Sequence, residues 1–347
     1  MEHDFVQALP KVDLHLHLDG SVKPATLLEL AAGQGHALPV SQAHELLPSM
    51  QVGEDVGSLT AYLRKFDFVL PFLQSGEALE RVACETVEQA AASCAIYIEV
   101  RFGPMLHVRQ GLTPDEAIRR VIAGLREGER RFGIPARAIA ICMRHHEEER
   151  NLAVVEAAAR QLGSGLAAVD LAGDESRFPT AAFRRVFERA AGLGLPATIH
   201  AGEAAGPGSI REAIEGLGAV RIGHGVRARE DAGVMALLKE RRIPLEMCPT
   251  SNLQTKAVDG WASYPLRRYY DEGLVVTVNT DNPTVSGTTI TSELRLLQEL
   301  FGFTRKELAA AALAGIDAAF LETAAKRGLR SEAERRLAAL GIDAAEL

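Results

Sequence analysis

Four residues of this 347-residue chain, His15, His17, His200 and Asp281, are of types and in places that suit a catalytic metal ion. His15 and His17 stand two apart in KVDLHLHL; side chains two apart on an extended strand leave the same face, so both imidazoles can approach one ion. Three more apolar runs end in polar residues: His200-Ala201-Gly202-Glu203, Gly223-His224-Gly225 and Thr280-Asp281-Asn282-Pro283. A lone histidine on an apolar strand is more often a hydrogen-bonded core residue than a ligand, but the recurrence of these after separate apolar runs argues for a shared site. Three neutral imidazoles and a carboxylate suit zinc better than magnesium or calcium, which prefer all-oxygen shells, while iron(II) and cobalt stay open. Catalytic zinc keeps a position for water and lowers its pKa towards about 7, which implies hydrolysis rather than redox chemistry. Glu203 is placed to act as a general acid, and His224 to orient or deprotonate the attacking water and shield a developing oxyanion. The plainer readings of these two are a helix-capping glutamate and a core histidine.

The elements that must gather these residues alternate. Short β-rich runs at 11–18, 95–102, 137–144, 165–172, 196–201, 220–224, 244–249 and 275–281 are separated by longer Ala/Leu/Glu/Arg-rich stretches of helical character, which predicts βαβ units. Eight such strands fit a closed α/β barrel, a (β/α)8 TIM barrel, better than a doubly wound sheet, since no GxGxxG turn follows the first strand. In that fold reactive groups sit at the C-terminal ends of the strands, where all four polar clusters fall. Thr113-Pro114-Asp115-Glu116 opens one helix with a cap-like threonine and a proline at its first position. The gap over roughly residues 20–94 is too long for one crossover helix and predicts several helices that cover the barrel mouth, with a lid around 50–75. Beyond residue 300 further helices are expected on the outside. The whole of 1–347 reads as a single domain.

Composition excludes other classes. With 47% hydrophobic and 24% charged residues the chain can bury a large core,. Its formal charge of −8 argues against a surface that gathers phosphate backbone or anionic lipid, so neither nucleic acid nor membrane is expected as a partner,. Cys84, Cys94, Cys142 and Cys248 lie far apart and read as reduced core thiols. The start, MEHDFVQALPK, lacks the basic and apolar regions of a signal peptide, and no segment is apolar for long enough to span a bilayer. The expectation is a cytoplasmic enzyme.

KVDLHLHLDGS (11–21), YIEVRFGP (97–104), VDLAGDE (169–175), TIHAGE (198–203), RIGHG (221–225), CPTSN (248–252) and NTDNP (279–283) together resemble the adenosine deaminase family of the amidohydrolase superfamily, in the right order over nearly the whole chain. The resemblance implies one Zn2+ per chain on His15, His17, His200 and Asp281, with Glu203 protonating purine N1 and His224 assisting the water. It implies hydrolysis of adenosine, and of 2′-deoxyadenosine, to inosine or deoxyinosine and ammonia, in purine salvage. The substrate contacts it implies are His17, Asp19 to a ribose hydroxyl, the Gly173 N–H to N3, and Asn282 to N7. Many relatives carry aspartate at the last of these positions; an amide can donate to the N7 lone pair without first being protonated. Gly103 also stands at a position that varies in the family.

Rival readings remain at this level. Related adenine deaminases tend to carry glutamate in place of Asp19, and deaminases of N6-modified AMP asparagine, so Asp19 favours a free nucleoside; aminodeoxyfutalosine is another related aminopurine. No arginine cluster marks a phosphate pocket, although Arg101 and Arg227 prevent its exclusion. A binuclear amidohydrolase bridged by a carboxylated lysine is disfavoured, since no lysine ends strands three to six. A non-catalytic nucleoside-binding barrel would not need Glu203 and His224.

Overall fold

A computed structural model describes residues 4–38, 40–53 and 56–347. The first three residues of the N-terminal stretch and residues 54–55 of the mouth segment therefore lie outside the described residues. The strands are β1 (Lys11–His17), β2 (Ala95–Phe102), β3 (Ala136–Met143), β4 (Leu166–Ala172), β5 (Thr198–Ala201), β6 (Arg221–His224), β7 (Leu245–Met247) and β8 (Val276–Val278). They pair in parallel as β1-β2-β3-β4 and β5-β6-β7-β8. Two bridges join these sheets into a ring. Val169 pairs with Ala197, its N–H donating to the Pro196 carbonyl at 3.0 Å, and Leu16 pairs with Asp281. Helices cover the outer face and side chains fill the centre, which is why the strands read as near-continuous apolar runs and are buried along almost their whole length,.

Each of the eight expected strands is present, but the last two are shorter than 244–249 and 275–281. After Met247 the chain turns into the helix Pro249–Gln254, and beyond Val278 only the single bridge of Asp281, in a left-handed backbone (φ 60°), continues the pairing. The helix Pro114–Phe132 begins as expected, with Thr113 Oγ1 accepting from the Glu116 N–H (3.2 Å) and Glu116 Oε2 accepting from the Thr113 N–H (2.8 Å),. Between β1 and β2 lie the helices Pro24–Gly33, Leu47–Met50, Leu59–Val69 and Gly76–Ala92, of which Leu59–Val69 lines the mouth. Val52, Val56 and Tyr62 pack there on Val285 as a small cluster apart from the main core. At the other end of the chain, the helix Arg305–Ala318 packs on β1 and β8, and Thr323–Ala339 follows it.

Candidate metal centre and active site

Barrel closure brings the first and last strands together at their polar ends. The His17 N–H donates to the Asp281 carbonyl (2.7 Å) and the Asp281 N–H to the His15 carbonyl (2.8 Å), so one ladder positions three of the expected ligands. Pairing of β5 with β6 sets His200 beside Gly223 and Ala201 beside His224. Asp281 Oδ1 lies 3.3 Å from His15 Nε2 and 3.2 Å from His17 Nε2, which is 3.3 Å from His200 Nε2. All four donor atoms fall within 4.8 Å of one another.

Their chemistry fits a cation. His15 Nδ1 lies 2.9 Å from Glu246 Oε2 and His200 Nδ1 3.0 Å from Asp170 Oδ2. An ionised carboxylate only accepts, so each proton sits on Nδ1 and each Nε2 lone pair faces the cluster. His15 Nε2 is buried with no hydrogen-bond partner among the described residues. Burial, helped by the Arg101 charge, lowers the His15 pKa to about 4, keeping the ring neutral. Burial alone would raise Asp281, but His15 and His17 beside it hold it well below the usual carboxylate value.

Behind this set is a layer of buried charge. Arg101 donates to both Asp170 (2.9 Å) and Glu246 (2.8 Å), and Arg221 donates to Glu246 (2.6 Å). Burial would raise Glu246; the two guanidiniums outweigh it and hold it well below its usual value. Arg101 is thus committed to the core, and Arg227 pairs with Glu230 at 2.8 Å, so neither marks a phosphate pocket.

Above the cluster a cavity of about 500 Å³ opens, within the size range of small-molecule sites,. It collects His17, Asp19, Gly173, His200, Glu203, His224, Asp281 and Asn282, with Gly103, Ile141, Met143 and Phe178 among its other walls. His15 lies beneath it, buried. Arg64, Arg109 and Arg177 also line it. Asp19 Oδ1 and Asn282 Oδ1 are buried without partners among the described residues, and burial raises Asp19 to about 6. Gly20 is required here, since a Cβ would stand 2.0 Å from Asn282 Oδ1. Gly173 has φ 114°, a conformation open to glycine and strained for other residues,.

The short helix after β7 supports three of these groups at once. Ser251 Oγ donates to Asp281 Oδ2 (2.5 Å), and Thr255 Oγ1 to Glu203 Oε1 (2.8 Å). Asn252 Oδ1 accepts from the Cys248 N–H (3.3 Å) and the Tyr264 hydroxyl (3.0 Å), so the NH₂ of Asn252 faces His224 Nδ1 (3.0 Å) and donates to it. Neutral His224 therefore carries its proton on Nε2, 3.6 Å from Glu203 Oε2. Burial raises the Glu203 carboxyl above its ordinary value, against the opposing pull of His224. His224 and Asp281 both have positive φ (64° and 60°), backbone strain of order 1–3 kcal/mol each that the surrounding structure must hold,.

Asp170, Glu246, Ser251, Asn252 and Thr255 carry no role in the sequence reading. The available signal was a charged residue inside an apolar strand, as in LAAVDLA and PLEMC, because a fully buried charge has to be paired. The four cysteines are free, three of them buried, while Cys94 is only half-buried and not the core thiol expected. No helix among the described residues is long and apolar enough to cross a membrane.

A closed parallel barrel with this cluster at the carboxyl ends of its strands defines a metal-dependent amidohydrolase. The adenosine deaminase family model matches residues 10–336, and the chain belongs to that family. A protein named adenosine deaminase from Clostridium botulinum (strain Okra) is 41% identical over 324 residues, covering 93% of this chain and 96% of its own. Among solved structures, an adenine deaminase from Arthrobacter aurescens superposes with a TM-score of 0.87 at 29% identity, over 95% of this chain and 99% of its own. An Arabidopsis N6-mAMP deaminase does so at 0.85 and 27%, over 96% and 99%.

Proposed function

We propose that this chain hydrolyses adenosine and 2′-deoxyadenosine to inosine and deoxyinosine, releasing ammonia, with one zinc ion on His15, His17, His200 and Asp281. The observation that carries the reading is the convergence of these four donors directly beneath a cavity walled by Glu203, His224, Asp19, Gly173 and Asn282, in a chain whose relatives at about 40% identity are named adenosine deaminase. Zinc held there supplies a Lewis acid that brings the pKa of water towards about 7.

Glu203, whose carboxyl burial raises above its ordinary value, donates a proton to purine N1 and so draws electron density from C6, where water adds,. The Nε2–H of His224 orients that water and stabilises the oxyanion as it develops. Asp19 accepts from a ribose hydroxyl, the Gly173 N–H donates to N3, and the Asn282 amide donates to N7. The chain acts as a single domain. Its location is the cytoplasm, where cysteines that are free in this fold stay reduced,.

The test is the ultraviolet change as adenosine becomes inosine, followed with metal-stripped and zinc-restored protein beside 2′-deoxyadenosine, adenine, AMP and N6-methyl-AMP. Turnover of the two nucleosides on zinc restoration is expected. Silence toward every aminopurine at full zinc occupancy would leave a nucleoside-binding barrel instead. Because protonated Glu203 is the active form, kcat should fall as pH rises through its raised pKa,. Glu203→Gln should abolish that alkaline limb and lower kcat by about 10²–10⁴-fold.

A further inference from the structure

We propose that Glu175 is a positioning residue for this reaction, an internal anion that folds the turn after β5 around itself and so fixes where Glu203 meets the substrate; the proposal rests on Glu203 being the acid. Glu175 is buried and lies in the loop after β4, two residues beyond Gly173. Its Oε1 accepts from the Gly202 N–H (2.8 Å) and the Ser209 hydroxyl (2.5 Å). Its Oε2 accepts from the N–H groups of Glu203 (3.1 Å), Ala204 (2.9 Å) and Ala205 (2.9 Å).

Four successive backbone N–H groups converging on one point make an anion-binding concavity. Such concavities ordinarily take a phosphate or another anion from solution, but here the chain supplies its own. Burial alone would raise the Glu175 carboxyl; the Ala205 N–H and the Arg144 guanidinium lead the effects that hold it below its ordinary value, so it is ionised. Without that carboxylate, buried N–H groups at Gly202 and Glu203 would lose their acceptor, which folded chains avoid by rearranging.

Glu203 is thereby held from both ends, with Thr255 at its carboxyl and Glu175 at its backbone N–H. The same loop places Gly173 and Asp174 in the cavity wall, and Asp174 Oδ2 accepts from Thr60 of the helix Leu59–Val69 at 2.9 Å. One segment thus ties the nucleoside wall, the mouth helix and the acid to a common frame, whereas a cap serving stability alone would have no reason to centre on the residue that donates the proton.

Glu175→Gln is a mild disruption. The Ser209 hydroxyl can rotate to accept from the new amide NH₂, so the variant loses the charge and strands mainly the Gly202 N–H. In zinc-loaded enzyme kcat for adenosine should fall by about 10- to 100-fold, the scale set by displacing a reacting group by about 1 Å. KM should change less than threefold, and zinc content and Tm should stay close to the parent. Glu175→Asp keeps the charge on a side chain one methylene shorter and should recover part of the loss; if the Gln variant fails to fold, the Asp variant is judged by the same criteria. An unchanged kcat in folded Glu175→Gln overturns the proposal, or in Glu175→Asp where that variant stands in for it, as does a loss of activity that only tracks lost zinc or lost folded fraction. Glu203→Gln, measured alongside, separates the two claims. If it is inactive beside a fully active Glu175→Gln, this proposal alone fails; if it is fully active, the reading of Glu203 as the acid fails and takes this proposal with it.

Discussion

His15 and His200 on one side, and His224 on the other, are the same side chain put to different use by what stands behind it. Their rings are neighbours, with His224 centred 4.7 Å from His15 and 5.0 Å from His200. Behind His15 and His200 are carboxylates, which take the Nδ1 proton and turn a bare Nε2 lone pair towards the cluster. Behind His224 is the NH₂ of Asn252, which donates to Nδ1 and leaves the proton on Nε2. Two rings are thereby prepared to bind a cation and the third to donate a hydrogen bond. The ring's job is fixed one layer back, in residues that never touch the substrate.

The strongest way to break this contrast is Asn252→Asp. A carboxylate there can only accept, so it draws the proton to Nδ1 and gives His224 the bare Nε2 of a ligand. We expect kcat to fall on the order of 10³-fold, the scale on which a wrong imidazole tautomer disables catalysis, with one zinc per chain retained. A loss under tenfold in stably folded protein would mean that the proton on Nε2 is not what His224 contributes.

The converse change is Glu246→Gln. In whichever orientation the amide settles, either His15 Nδ1–H or a guanidinium of Arg101 or Arg221 meets a donor where it had an acceptor. Zinc affinity should drop by about 10- to 100-fold, read by competition with a chelator. Stability should fall by about 3–5 kcal/mol, because buried guanidiniums lose an ionic partner. Asp170→Asn, which touches Arg101 alone of the two guanidiniums, should do the same to His200 with the smaller loss. Unchanged chelator competition in both variants would show that the carboxylates do not tune the ligands.

The division between the layers also separates what the sequence makes legible from what it does not. Ring closure and strand order follow from eight buried apolar runs, and His15 with His17 from a two-residue spacing, both local signals. Glu246 acts on a histidine 231 positions away, and Asn252 on one 28 away, contacts that only the assembled barrel creates. A single glutamate in PLEMC has no local partner to announce it. Arg101 keeps a phosphate pocket from being excluded on sequence alone, because the sequence cannot say which side of a strand faces the barrel centre and its two carboxylates lie 69 and 145 positions on. The early end of β8 has a related origin, since Asp281, left-handed at φ 60°, pairs with β1, a strand more than 260 positions back.

The finest adjustment of the contrast is Tyr264→Phe. The Tyr264 hydroxyl and the Cys248 N–H are the two donors that keep Asn252 Oδ1 turned away from His224. Removing the hydroxyl leaves the longer bond, 3.3 Å, to hold the amide, and costs about 0.5–1.5 kcal/mol of stability,. The amide then spends part of its time flipped, with Oδ1 against His224 Nδ1, a geometry that favours the ligand-type tautomer. The energy lost is on the scale of a single hydrogen bond, so kcat should fall by about two- to tenfold, with KM and zinc affinity unchanged. Combining Tyr264→Phe with Asn252→Asp then distinguishes mechanisms. If Tyr264 acts only through the orientation of the amide, it has nothing left to orient once a symmetric carboxylate replaces it, and the double variant should be no slower than Asn252→Asp. Additive losses would assign Tyr264 a separate effect on the cavity and remove it from the device that sets the His224 proton.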